Sequence, residues 1–311
     1  MISRKITAVD FERMFCFENK SLPDFIYREI ESIDSWHHLA DPKEQAEYVL
    51  DFLKRIDQRT ITRTKAENLA VFESGWTDIF RKLLSESISF GALKPGYFRG
   101  NKFLRYNNEL IVSENLQLEF ELFRIARLCI FYKYLNNSDT ICELGCGSCQ
   151  NILMLAELFN NATLIAADWT NASKKIADYL GSSLKRNISG YILDMMDAKN
   201  SRNFIPSNSA IITIHAFEQL GEEFTAILDF IIKSKPRIIV QYEPVLEYYS
   251  ESNLYDFLAL KYCSKRNYLK DYLTVLEQLQ KEKKIEIISS YRPFLGGVLH
   301  EASLIVWRPI Y

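Results

Sequence analysis

The chain of 311 residues has no surplus of charge of either sign. Its 38 Lys and Arg face 40 Asp and Glu, a net charge of −2, and the isoelectric point is near 6.2. Neutralising a phosphate backbone takes many basic side chains, so this balance speaks against nucleic acid as the substrate. No apolar run reaches the roughly 20 residues that a membrane span needs. The stretch Met1-Ile-Ser-Arg-Lys-Ile-Thr7 lacks the apolar segment of a signal peptide. Neither an internal repeat nor a low-complexity segment is present. Cys146 and Cys149 have the C-x-x-C spacing, but no second such pair and no nearby His completes a zinc set. The six cysteines (Cys16, Cys129, Cys142, Cys146, Cys149, Cys263) read as reduced residues of a cytoplasmic protein, with no metal. What the chain does have is 48% hydrophobic and 13% aromatic residues, enough for a full core.

The most informative stretch is Thr140-Ile-Cys-Glu143-Leu-Gly145-Cys146-Gly147-Ser-Cys149-Gln150-Asn. An apolar strand runs into an acid, then two glycines, then Gln150–Phe159 with apolar residues at helical spacing. Glycines at such a turn permit positive φ and close approach of a ligand to the backbone. The amides that open the helix favour a polar or anionic group. The dinucleotide fingerprint G-x-G-x-x-G is not completed, because its last position is Gln150. Glu143, two residues before Gly145, is an acid that can pair with the ammonium of an amino-acid moiety.

On Glu143, Gly145 and Gly147 the sequence resembles the class I S-adenosylmethionine-dependent methyltransferases, whose first motif is acid-x-Gly-x-Gly. Family members often carry a third glycine two positions on, where this chain has Cys149. The rest of the chain is consistent with the resemblance. Thr163–Asp168 is a strand ending in an acid 21 residues after Gly147, a spacing suited to ribose hydroxyls. Ser189–Asp194 is another, and the resemblance puts Asp194, with Met195 and Met196, at the adenine. Ser209–Ile214 leads into His215-Ala-Phe-Glu218, and Arg237–Tyr242-Glu243 is stopped by Pro244. Ile285–Tyr291 and Ala302–Trp307, joined through Pro293–Gly297, suggest a terminal hairpin. No DPPY-like tetrapeptide follows the fourth strand, unlike the amino-methylating DNA enzymes.

The resemblance covers about Asn115 to Tyr311. It implies a seven-stranded, mostly parallel, doubly wound α/β sheet with a C-terminal antiparallel hairpin, behind an N-terminal helical domain (1–114). Pro42 opens a helix over 41–54, and 65–72 and 77–84 read as two more. A glycine-flanked, lid-like linker spans 93–114 and includes Tyr97, Arg99, Arg105 and Tyr106.

The expected cofactor is S-adenosyl-L-methionine, held by Glu143, Gly145, Cys146, Gly147, Asp168, Trp169, Asp194, Met195 and His215. His215 is the base expected for an O–H or N–H acceptor, and Glu243 is the second catalytic candidate. Tyr106, Arg105, Glu218 and Tyr242 are candidate substrate contacts. The tyrosine-rich stretch from Tyr248 to Tyr272 reads as an acceptor wall or as helix packing. The expected partner is a small-molecule acceptor, a sugar or another metabolite, with no nucleic acid, no membrane and a homo-oligomer allowed. A protein or peptide methyltransferase, a non-catalytic binding subunit and a dinucleotide oxidoreductase are the alternatives left open.

Overall fold

The computed structural model describes residues 2–18, 21–58 and 63–311. Met1, where the signal-peptide reading begins, lies outside the described residues, as do 19–20 and 59–62 of the stretch read as helical. Among the described residues no helix is long and apolar enough to cross a membrane.

The chain opens with β1 (Arg4–Lys5), α1 (Ala8–Met14), α2 (Asp24–Ser32), β2 (Trp36–Leu39), α3 (Pro42–Ile56) and α4 (Lys65–Ser85). The hairpin β3 (Phe103–Tyr106) and β4 (Glu109–Val112) follows. Next come α5 (Leu118–Leu135), β5 (Thr140–Leu144), α6 (Gln150–Leu158), β6 (Thr163–Asp168), α7 (Asn171–Leu184), β7 (Ile188–Ile192) and β8 (Ala210–Ile214). The chain ends with α8 (Thr225–Lys233), β9 (Ile238–Glu243), α9 (Leu254–Arg266), α10 (Tyr272–Lys281), β10 (Ile285–Tyr291), β11 (Leu295–Gly296) and β12 (Ser303–Pro309).

Seven strands form one sheet in the order β10-β12-β9-β8-β5-β6-β7. The pairs among β9, β8, β5, β6 and β7 are parallel, while β12 runs antiparallel to both β9 and β10. This is the expected sheet with its terminal hairpin. Its central strands are buried on both faces, so they read as unbroken apolar runs. Alternate residues feed two cores: Leu164 and Ala166 face one side of the sheet, Ile165 and Ala167 the other. Trp307 and Tyr272 share one polar partner in the second core, donating to Gln241 Oε1 at 2.8 and 2.6 Å. From β5 the chain moves one way through β6 and β7, then returns to the other side of β5 as β8. The carboxyl ends of β5 and β8 therefore flank the point where the strand order reverses, and open α/β sheets bind ligands there.

The N-terminal stretch is helical as expected, with three differences. Asp41 caps α3, accepting from Lys43 and Glu44 N–H at 2.8 and 2.9 Å, with Pro42 in the first turn. The two helices expected around Gly75 are one continuous helix, α4. Gly75 alone costs such a helix about 1 kcal/mol, and the burial of Trp76, Ile79 and Leu83 on either side of the next turn offsets it. The region expected to be a lid-like linker contains the β3–β4 hairpin, which joins a second sheet of order β1-β2-β4-β3-β11. Position 114 is not a break in packing. Ile6, Phe11, Phe15, Ile26, Ile30 and Leu83 share one core with α5 and the large sheet.

A buried ionic cluster ties the second sheet to the C-terminal half. Arg292 grips Asp256 with both guanidinium nitrogens (3.0 and 2.9 Å) and also reaches Glu301 at 2.8 Å. Arg105 of β3 approaches the same Asp256 at 3.2 Å. Removing one partner of such a cluster leaves an uncompensated buried charge. Arg292→Met is expected to destabilise the fold by about 3–5 kcal/mol, read as a lower midpoint in urea unfolding.

Candidate active site

The glycine loop leaves β5 under tight backbone control. The amides of Gly145 and Cys146 both donate to the Ala167 carbonyl of the neighbouring strand, at 2.7 and 3.1 Å. Gly147 N–H donates to Asp168 Oδ2 at 3.0 Å. Gly145 and Gly147 have φ of +79° and +50°, and a side chain at Gly145 would bring its Cβ to 2.3 Å from that of Ala216. Cys149, which stands at the third-glycine position, caps α6 with φ +60° and ψ +23°. That left-handed conformation is one glycine adopts freely and costs another residue about 1–2 kcal/mol. Cys149 thus preserves the turn, and its buried thiol lies 3.5 Å from the Ser173 carbonyl and 3.8 Å from Cys146 Sγ.

Glu143 is buried at the end of β5, and one of its oxygens is half of a relay. Arg127 of α5 donates to Asn151 Oδ1 at 2.6 Å, and Asn151 Nδ2 donates to Glu143 Oε1 at 2.6 Å. Both Arg127 terminal nitrogens also donate to Gln150 Oε1 at 3.2 Å. Among the described residues, Glu143 Oε2 is buried with no hydrogen-bond partner. Burial raises the Glu143 carboxyl to about 8, against the opposing effects of the Asn151 hydrogen bond and the Arg127 charge. A buried acid with an unpaired oxygen at a ligand-binding strand end is arranged to receive a cation or hydrogen-bond donor.

The other expected cofactor residues cluster around this loop. Asp168 gives one oxygen to Gly147 and the other to Thr170, accepting from its N–H at 2.9 Å and its hydroxyl at 2.7 Å. It therefore also braces the loop against the start of α7. Asp194 accepts from Met196 N–H at 3.0 Å and pairs with Lys65 at 2.8 Å. Met195 Cε lies 3.5 Å from where a Gly145 Cβ would stand. The half-buried Trp169 faces the ring of Phe72 at 6.3 Å.

Across Gly145, the carboxyl end of β8 presents His215. Its φ of +51° is a left-handed conformation uncommon outside glycine, which histidine adopts more readily than most residues. Strain of this kind collects at functional sites. The turn is anchored by Glu243, whose oxygens accept from Ala216 N–H at 3.1 Å and Glu218 N–H at 3.3 Å. Both oxygens thus serve the backbone, so Glu243 positions His215 instead of facing an acceptor. Glu218 pairs with His215 Nδ1 at 3.1 Å, holding the proton there and leaving Nε2 as the lone pair. Burial lowers the His215 pKa, but the Glu218 carboxylate beside it more than offsets this, and the net shift is upward. Around His215 stand Phe123 (5.2 Å), Tyr242 (6.3 Å) and His300 (6.3 Å), with Tyr262 a further 5.5 Å beyond His300.

Two expected substrate residues are elsewhere. The Arg105 side chain is fully buried in the ionic cluster and meets Tyr255, and Tyr106 packs edge-on against His37 at 5.2 Å. Strand pairing in β3 directs these side chains into the second sheet and the N-terminal helices, so they form no lid. Of that segment, Tyr97 has its ring 6.5 Å from Trp76, which lies against Gly147. Arg127, Asn151, Trp76 and Lys65 were not singled out from sequence, whereas His300, which sequence placed at a hairpin edge, is half-buried beside His215. The buried polar pair Gln150-Asn151, opening an otherwise apolar helix, was the available signal for the relay. The α4 residues carried no such signal.

The strand order, the antiparallel β12 and the glycine loop after β5 make this the class I methyltransferase fold. No family model matches the chain, and no curated protein matches it in sequence. Among solved structures it is similar to a geranyl diphosphate methyltransferase in complex with S-adenosylmethionine, at 10% identity over 64% of this chain and 92% of that one, TM-score 0.44. It is also similar to geranyl diphosphate C-methyltransferase from Streptomyces coelicolor (10%, 64% and 86%, TM-score 0.44). A third is an O-methyltransferase family 2 protein from Planctomyces limnophilus, in complex with apigenin (10%, 63% and 60%, TM-score 0.45). These likenesses add nothing beyond the fold.

Gly145→Ala is expected to drive Cβ into the Ala216 turn and separate the two halves of the site. Circular dichroism of the folded variant together with calorimetry against S-adenosylhomocysteine checks this, with binding lost ahead of fold.

Proposed function

We propose that the protein is an S-adenosylmethionine-dependent methyltransferase acting on an oxygen or nitrogen of a small molecule. One observation carries the reading. The unpaired oxygen of Glu143 at the end of β5 and the His215–Glu218 pair at the end of β8 flank the reversal point of the sheet, where the Ala216 turn packs against Gly145. The residues suit the cofactor. Glu143 Oε2 is an open acceptor for an amino-acid ammonium, and the positive-φ glycines let a ligand approach the backbone. Asp168, Trp169, Asp194 and Met195, which lie around the same loop, are the residues that would hold the nucleoside.

When bound, S-adenosylmethionine supplies an electrophilic methyl group on a sulfonium. The protein's own work is alignment, exclusion of water and removal of a proton. His215 Nε2 takes the proton from the acceptor O–H or N–H, and Glu218 stabilises the resulting imidazolium. Phe123, Tyr242 and Tyr262 supply an apolar wall for a small acceptor. Glu119 and His300 add polar groups beside it, and a Cβ on Gly297 would stand 2.5 Å from Glu119 Oε1 and 3.4 Å from His300 Nδ1.

The test is formation of S-adenosylhomocysteine from S-adenosylmethionine with a pool of hydroxyl- and amine-bearing metabolites. His215→Asn tolerates the left-handed backbone and is expected to lower kcat by about 100-fold or more while leaving cofactor affinity intact. Full turnover in that variant rules the base out. His215 must be neutral to act, so activity is expected to rise with pH through a limb above the ordinary histidine value of 6.5. Glu218→Gln removes the charge that raises this limb and is expected to move it to lower pH.

A second expectation concerns Glu143. With a carboxyl near 8, it is largely protonated at neutral pH. An ammonium ligand favours the ionised form, so cofactor binding at pH 7 is expected to release close to one proton. Calorimetry in phosphate and in Tris reads this as a heat that differs with buffer ionisation enthalpy, and equal heats reject it.

A further inference from the structure

Helix α4 touches the cofactor side of the site through four separate contacts. Lys65 Nζ pairs with Asp194 Oδ2 at 2.8 Å. Phe72 faces Trp169 at 6.3 Å. Glu73 accepts the N–H groups of Asn171 and Ala172, at 2.8 and 3.1 Å, at the start of α7. The Trp76 ring lies against Gly147, where an added Cβ would meet Cζ2 at 3.0 Å. Asp194, Trp169 and Gly147 all belong to the proposed cofactor site, and α7 begins just after Asp168. The helix buries only Trp76, Ile79 and Leu83, all in its second half. Its first half leaves Leu69 and Val71 exposed and reaches the sheet domain through Lys65, Phe72 and Glu73. The end of α4 over the site is thus attached mainly by polar contacts, while the far end is anchored in the core.

We infer that α4 is a self-occupying cover of the cofactor site. Lys65 holds Asp194 and Phe72 packs on Trp169 until entry of the cofactor exchanges these contacts for contacts with the ligand, and Trp76, buried where the anchored half begins, is the pivot that rests against Gly147. Opening of the first half of α4 then limits the rate of association, and the fraction of chains already open scales the apparent affinity. The inference rests on the cofactor reading proposed above. The Lys65–Asp194 pair is partly exposed, at 47% and 38% of the two side chains, so it holds the helix weakly enough to be exchanged.

The experiment is stopped-flow mixing of the full chain with S-adenosylhomocysteine, followed by tryptophan fluorescence, for the wild type, Lys65→Ala and Trp76→Phe. Lys65→Ala is expected to speed association by about two- to fivefold, the range set by a partly exposed ion pair. Added salt is expected to speed the wild type by screening that pair and to leave Lys65→Ala unchanged. Trp76→Phe, with a smaller ring over Gly147, is expected to act in the same direction as Lys65→Ala. Amide exchange in 65–76 is expected to be faster in Lys65→Ala before the ligand is added. Association rates equal to wild type in both variants, with no salt effect, overturn the inference while the cofactor reading stands. Failure of the wild type to bind S-adenosylhomocysteine removes the cofactor reading itself.

Discussion

A carboxylate at the end of a strand buried on both faces must be paired, hydrogen-bonded or neutral, because an isolated charge there is very costly. Glu143 meets this constraint halfway. One oxygen is held by Asn151, which Arg127 holds in turn, and the other has no partner. The relay crosses three elements, since Arg127 lies on α5, Asn151 on α6 and Glu143 on β5. It therefore sets how the helix before the strand and the helix after it meet at the glycine loop.

The rest of the site is built outward from that loop. Ala167 and Asp168 of β6 hold its amides, so β6 fixes the loop that β5 emits. Gly145 has no side chain because the Ala216 turn occupies that space, and the same contact brings His215 beside the loop. Glu243 supports the turn from β9 through two backbone amides. Four neighbouring strands thus determine the geometry of the candidate site. The left-handed φ of His215 is held by these contacts.

The N-terminal stretch is bound to this domain by two kinds of contact. Apolar residues of α1, α2 and the far half of α4 merge into the core under the large sheet. The second sheet is closed by β11, a strand from the C-terminal hairpin, and is pinned by the Arg105–Asp256–Arg292–Glu301 cluster. A chain division near residue 114, natural from composition, is thus crossed by packing, strand pairing and buried charge.

Much of the molecule was legible in the sequence because its signals are local. Continuous apolar strands, the glycines after Glu143, the strand-end acids Asp168 and Asp194, and the proline-led helix α3 each depend on neighbours in the chain. The i, i+3 placement of His215 and Glu218 was equally readable, and they do pair. What sequence could not supply was the direction of side chains whose partners are distant in the chain. Arg105 and Tyr106 looked like a lid but are drawn into the second sheet by strand pairing with β4 and β11. Glu243 looked like an acceptor contact, but β9 lies beside β8 and its carboxylate closes a backbone turn. Cys149 looked like a departure from the glycine pattern, and the left-handed turn is kept by packing its thiol. Trp76 and Lys65 come to lie against Gly147 and Asp194 only because α4 is laid across them in the fold. Sequence determined the sheet and the loop, since strand ends and turns are written in adjacent residues. Tertiary structure decided which polar groups meet, because long-range packing and the pairing of buried charge join residues far apart in the chain.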